Sequence, residues 1–279
     1  MLLLAVAVAQ GQTGTPAGSI DPLYDRIAAD LGAGKPLTIE VHVALCDNDS
    51  QGIAPVRNPR ICNGDDPERN IYWGTGGGLA GYLKKARWKR LQYEKTENPE
   101  ILLRAGWKKR FSPGGALRER GIEKRIDVVI TGLAYRGANI ESAMKGFLRA
   151  VHRDRPCRGA GCGTPHLIGY IGHDYFLDVF DERRLMRAAR GDSSLRKGVF
   201  ALSCLGNTYI RPAITRPNAH ILLLNKHLTY PGAWTVGGIA AAVAKGRSAR
   251  GIHREASRFF AEGQNRPLGA ILASFAYDE

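Results

Sequence analysis

Two apolar runs in this chain each end in a reactive side chain. The first, His166-Leu167-Ile168-Gly169-Tyr170-Ile171-Gly172, ends at His173, and the second, Gly198-Val199-Phe200-Ala201-Leu202-Ser203, ends at Cys204. A free thiol has a pKa of about 8.5 and is a weak nucleophile at neutral pH. An imidazole beside it takes up its proton and later returns it to a leaving group. Each run is too short for a helix and rich in Ile, Val, Phe and Tyr, as a buried parallel strand is. Ligands of open parallel sheets bind beyond the carboxyl ends of the strands. If the two strands are neighbours, His173 and Cys204 meet there.

Other candidates gather at the same edge. Asp47 and Asp49 follow the first good strand, Leu37 to Leu45, in Cys46-Asp47-Asn48-Asp49. Carboxylates there would select a Lys or Arg side chain of a substrate. They also read as Asx-turn residues, or as hard-cation ligands that with His173 would make a metal-assisted hydrolase. His227 closes a later strand and is a substrate-contact candidate, while Asp178 reads as a structural or loop-capping residue. No cofactor is expected, because no Gly-x-Gly-x-x-Gly follows the first strand.

The cysteine count is five. Cys157 and Cys162 flank a Gly-containing loop suited to a small disulfide ring, and Cys46 and Cys62 bracket a second loop. Cys204 is then left over. Zinc spacing is absent. Leu2 to Gln10 resembles the tail of a secretory signal, with Ala7-Val8-Ala9 as the cleavage site. Residues 1–19 therefore read as a signal-like segment and linker, and 20–279 as one α/β domain of an exported protein. If the signal reading fails, five reduced thiols in a cytoplasmic protein are expected. No segment has the length of apolar residues that a membrane span needs.

The net charge of +14 comes from 40 Lys and Arg against 26 Asp and Glu. The basic residues are scattered without a nucleic-acid motif, so solvated helix faces are expected and nucleic acid is not. A catalytically silent basic α/β module binding an anionic partner is the rival reading.

The elements that must position these residues alternate. Helices are expected over Ile20–Leu31, Asn70–Arg87, Asn139–His152 (capped by Asn139), Glu182–Arg190, Tyr209–Thr215, Trp234–Lys245 and Arg247–Glu262. Strands are expected over Leu37–Leu45, Trp88–Glu94, Ile101–Arg110, Lys124–Leu133, the two site runs and His220–Leu224. This order predicts a mostly parallel sheet with helices on both faces, flavodoxin-like or otherwise doubly wound.

With Gly172-His173-Asp174 and Ser203-Cys204-Leu205 at the strand ends, the chain resembles the caspase–gingipain–legumain superfamily of cysteine peptidases. Asp174 stands where that family has glycine, and Ser203 where it has alanine. The resemblance implies a caspase-like sheet, a peptide or protein substrate, His173 and Cys204 as catalytic dyad, and an oxyanion held by the N–H groups of Gly172, Asp174 and Cys204.

Overall fold

The structure is a computed structural model and describes residues 19–51, 56–156, 163–177, 185–187, 191, 193–230 and 232–279. The signal-like segment, Cys157, Cys162, Asp178 and most of the 182–190 stretch lie outside the described residues.

β1 (Leu37–Ala44), β2 (Lys89–Lys95), β3 (Ile101–Phe111), β4 (Ile126–Tyr135), β5 (Leu167–Ile171), β6 (Lys197–Leu202), β7 (Ala219–Asn225) and β8 (Phe275–Ala276) form one sheet. Its eight strands lie in the order β2-β3-β4-β1-β5-β6-β7-β8. The five from β4 to β7 run parallel, and β2, β3 and β8 join antiparallel pairs at the two margins. The parallel strands are apolar because both faces are covered.

On one face lie α1 (Asp21–Gly32), α2 (Leu79–Lys85), α5 (Trp234–Ala244) and α6 (Ala249–Gln264), packed on Leu37, Ile39, Val41 and Val43 of β1. α5 is apolar around its whole circumference, as a helix between a sheet and a second helix must be. On the other face lie α4 (Ile140–His152) and two short helical turns, Gly206–Tyr209 and Arg211–Ile214. Between β3 and β4 runs the short α3 (Gly115–Glu119), and α7 (Leu268–Leu272) precedes β8. The α/β class and the mostly parallel sheet are thus as expected.

Several local expectations are corrected. The helix expected over Asn70–Arg87 begins only at Leu79. Before it, the buried Asn70 side chain accepts from the N–H groups of Cys46 and Tyr72 and donates to the carbonyls of Cys46 and Asn63. Those bonds fold the segment into turns, and a Cβ at Gly74 would lie 1.8 Å from the Glu68 carbonyl. Asn139 precedes α4 without a side-chain cap, because its backbone lies outside the extended region that cap geometry uses. The helix expected over Tyr209–Thr215 is the two short turns, and β8 with α7 was not expected.

Candidate functional site

β5 and β6 are parallel neighbours, and Ile171 is the register partner of Leu202. His173 and Cys204 each stand two residues beyond that pair. Both residues therefore follow the carboxyl ends of adjacent parallel strands. Gly169 lets the strands close, since a Cβ there would lie 2.2 Å from the Phe200 ring. Gly172 turns the chain off β5 at φ +154, a conformation L side chains rarely adopt, with its Cβ position 2.9 Å from the Ala44 methyl.

His173 is buried, and its carbonyl accepts from the Tyr170 hydroxyl at 2.8 Å. Asp174 is wholly buried, and its Oδ1 accepts from Phe176 N–H at 3.0 Å, holding the turn that follows β5. Burial first, and then the Asp174 and Tyr72 side chains, push the Tyr170 hydroxyl well above its ordinary pKa.

Cys204 is partly exposed and is the free cysteine among the described residues. Its Sγ donates to the Thr229 carbonyl and accepts from the Thr229 N–H, each at 3.4 Å. Leu205 follows in the left-handed region at φ 55, so the chain turns sharply after the thiol. Leu205 N–H donates to the His227 carbonyl at 3.2 Å, and Ser203 N–H to Asn225 Oδ1 at 3.2 Å. The N–H of Cys204 between them donates to no group among the described residues. The Gly172 N–H, just past the end of β5, donates to Leu202 O at 3.3 Å.

The loop after β1 lies over this edge. Cys46 and Cys62 are bridged, with Cα atoms 4.7 Å apart. Tyr72, on the same loop, is buried beside Cys204; burial, and after it Cys204 and Tyr230, raise its hydroxyl well above the ordinary value. Tyr230 donates to Ile71 O at 2.8 Å, its ring centroid lies 6.3 Å from that of Tyr72, and burial pushes its pKa up to about 12. A cleft of about 240 Å³ opens alongside, lined by His227, Thr229, Tyr230, Phe260, Arg266 and Ile271 among others. Thr229 belongs both to its wall and to the seat of the sulfur.

Asp47 lies at the same edge, but its carboxylate closes its own turn. Oδ1 accepts from Asp49 N–H at 3.1 Å and Oδ2 from the Ser50 hydroxyl at 2.6 Å, which is the Asx-turn reading. Asp49 is exposed at the turn's tip, and His227 is exposed at the end of β7. Among the described residues no group of three or more His, Cys, Asp and Glu is arranged to hold a metal ion. Asp47, Asp49 and His173 therefore form no such group, and the metal-assisted reading loses its ligand set.

Tyr72, Thr229 and Tyr230 carried no sequence signal. They reach the sulfur from loops distant in the chain. A second buried cluster was also missed, although Glu40 and His42 show in the sequence as polar residues two apart within an apolar strand. His42 Nε2 lies 2.9 Å from Glu40 and its Nδ1 3.0 Å from the Tyr135 hydroxyl, while Arg155 makes two 2.5 Å bonds to Glu40. Burial opposes the Glu40 charge, but the His42 and Arg155 bonds outweigh it and hold the carboxyl down at about 2. With its partners satisfied, this cluster ties β1 to β4 and to the segment after α4. Compared with protein-family models, curated proteins and solved structures, the chain has no match.

Proposed function

We propose that the protein is a cysteine-type hydrolase in which Cys204 is the nucleophile and His173 its acid–base partner. The observation that supports this reading is the parallel pairing of β5 and β6, since His173 and Cys204 each follow the carboxyl end of one of these neighbouring strands. The Cys204 sulfur attacks a substrate carbonyl carbon and forms an S-acyl bond. His173 gives a proton to the departing amine or alcohol, and water then releases the acid. The open N–H of Cys204 faces the oxyanion, as a pre-placed donor does in acyl transfer. The resemblance at Gly172-His173-Asp174 and Ser203-Cys204-Leu205 makes the substrate a peptide or protein. Asp49, exposed and with a carboxylate not used by the turn, is the acidic side chain available to meet a Lys or Arg of that substrate. The Cys46–Cys62 bridge supports an oxidising, exported setting.

Cys204→Ala tests the proposal. Hydrolysis of peptide or thioester substrates should fall by several orders of magnitude, while the melting temperature stays within a few degrees. Iodoacetamide should block activity by modifying Cys204. Hydrolysis that survives in the Cys204→Ala protein overturns the assignment and leaves the binding-module reading in its place.

A further inference from the structure

The two margins of the sheet are finished differently. At one, β8 is two residues long and Asp278 clamps the chain after it, donating through its N–H to Ile221 O and accepting from Ile221 N and Arg211. At the other, β2 is a seven-residue strand with an irregularity between Arg90 and Gln92, and among the described residues no strand lies outside it. Alternate N–H and C=O groups of such a strand face outward and can pair with another chain. Leu91 in its middle is 50% exposed.

The charge around this edge is mainly positive, although Glu94 within β2 and Glu97 after it are exposed as well. Lys84, Lys85, Arg87, Lys89, Arg90 and Lys95 are all exposed. None of them belongs to an ion pair among the described residues, whereas Lys108, Arg110 and Arg120 nearby are held by Asp127, Asp21 and Asp25. Arg90 lies over the Tyr93 ring at 5.1 Å instead. The basic residues that look scattered in the sequence thus gather, in part, along an open strand edge.

We propose that the β2 edge docks an acidic peptide in extended conformation, which adds to the sheet as a further strand. The open main chain supplies hydrogen bonds, and the row of unpaired cations supplies selection for carboxylates. The same row repels a second copy of this chain, whose edge is equally basic. Stacked nucleic-acid bases find no platform here, because Trp88 is buried and the Tyr93 hydroxyl bonds Glu68.

The test is fluorescence titration of the full chain with a short end-capped peptide of alternating Glu and Val. Its lysine twin, a twin with prolines at alternate positions, single-stranded DNA and phosphatidylglycerol vesicles serve as competitors. The acidic peptide should bind with strong salt dependence, and the lysine and proline twins should not bind. Lys89→Glu with Lys95→Glu should weaken binding by about tenfold or more. Arg250→Glu with Arg254→Glu makes the same change in net charge on exposed positions of α6 and should leave binding intact. Equal loss from both pairs, equal binding of the proline twin, preference for DNA or vesicles, or no binding of the acidic peptide at low salt would each overturn the proposal.

Discussion

β5 carries a histidine at each end, and the two occupy opposite kinds of surroundings. At the amino end, His166 Nδ1 lies 2.9 Å from the Thr38 hydroxyl and Nε2 3.1 Å from Asp30. Arg26 donates beside it to the carbonyls of Thr164, Pro165 and Arg196. Lys197, fully buried where β6 begins, donates to the carbonyls of Ala150, Val151 and Arg153 at the end of α4 and pairs with Asp154 at 3.1 Å. At the carboxyl end, among the described residues, Cys204 makes two long sulfur contacts and its N–H donates to no group. A strand-end histidine is therefore no site by virtue of its type or place. The amino end uses its polar groups in holding secondary structure together, whereas the Cys204 N–H at the carboxyl end meets no acceptor among the described residues.

The sharpest way to break this contrast is to remove each histidine. His173→Ala should lower hydrolysis by about a hundredfold to ten-thousandfold, the usual contribution of a general acid–base group. His166→Ala should leave the activity per folded molecule unchanged and reduce the urea midpoint. Equal activity losses would erase the functional difference between the ends. Next in size is Lys197→Met, which strips the carbonyl end of α4 of its cation. A loss of about 3 kcal/mol in urea unfolding is expected, with the native rate of Cys204 alkylation unaltered.

Acid should act first on buried imidazole. His152, whose Nε2 donates to Ala213 O at 2.9 Å, is held down to about 4 by burial and by Arg216, against an ordinary 6.5. Between pH 6.5 and 4 the unfolded chain binds a proton that the folded chain refuses. The stability present above 6.5 is therefore lost as pH falls toward 4. Glu40 extends the loss, since its depressed pKa contributes stability above 4.5 that disappears as pH drops to about 2. His152→Gln should flatten the upper part of a plot of urea midpoint against pH, and an unchanged slope would refute the assignment. The smallest effect is expected from Asp47→Asn. With both oxygens engaged in the turn, it should cost about 1 kcal/mol and slow charged and neutral substrates equally. A loss confined to Lys and Arg substrates would restore Asp47 to the substrate pocket.

Sequence patterning carried the fold wherever burial dictated residue type. The apolar runs of β1, β4, β5, β6 and β7 are readable because the sheet is covered on both faces, and the stripes of α4 and α6 because one side of each helix is buried and the other is not. β8 is not readable, since two residues acquire strand geometry only by pairing with Leu224 and Asn225. The segment after Asn70 misleads for another reason: a single amide side chain organises its turns, and helix propensity registers none of those bonds. At the proposed site, strand-end logic puts forward His173 and Cys204. It cannot find Thr229 or Tyr72, whose nearness to the sulfur exists only after the sheet has assembled.

The central place of β1 has a kinetic consequence. Thr38 meets His166 across 128 residues of chain, and the β1–β5 pairing is as distant. Contacts so remote in sequence are formed slowly, because loop closure must precede the reward of pairing. A refolding chain should therefore regain helical signal well before it regains a sheet with β5 and β6 in register. Until that register exists, His173 and Cys204 do not follow neighbouring strands, and a test of the proposed hydrolysis during refolding should show activity appearing only with the slow phase.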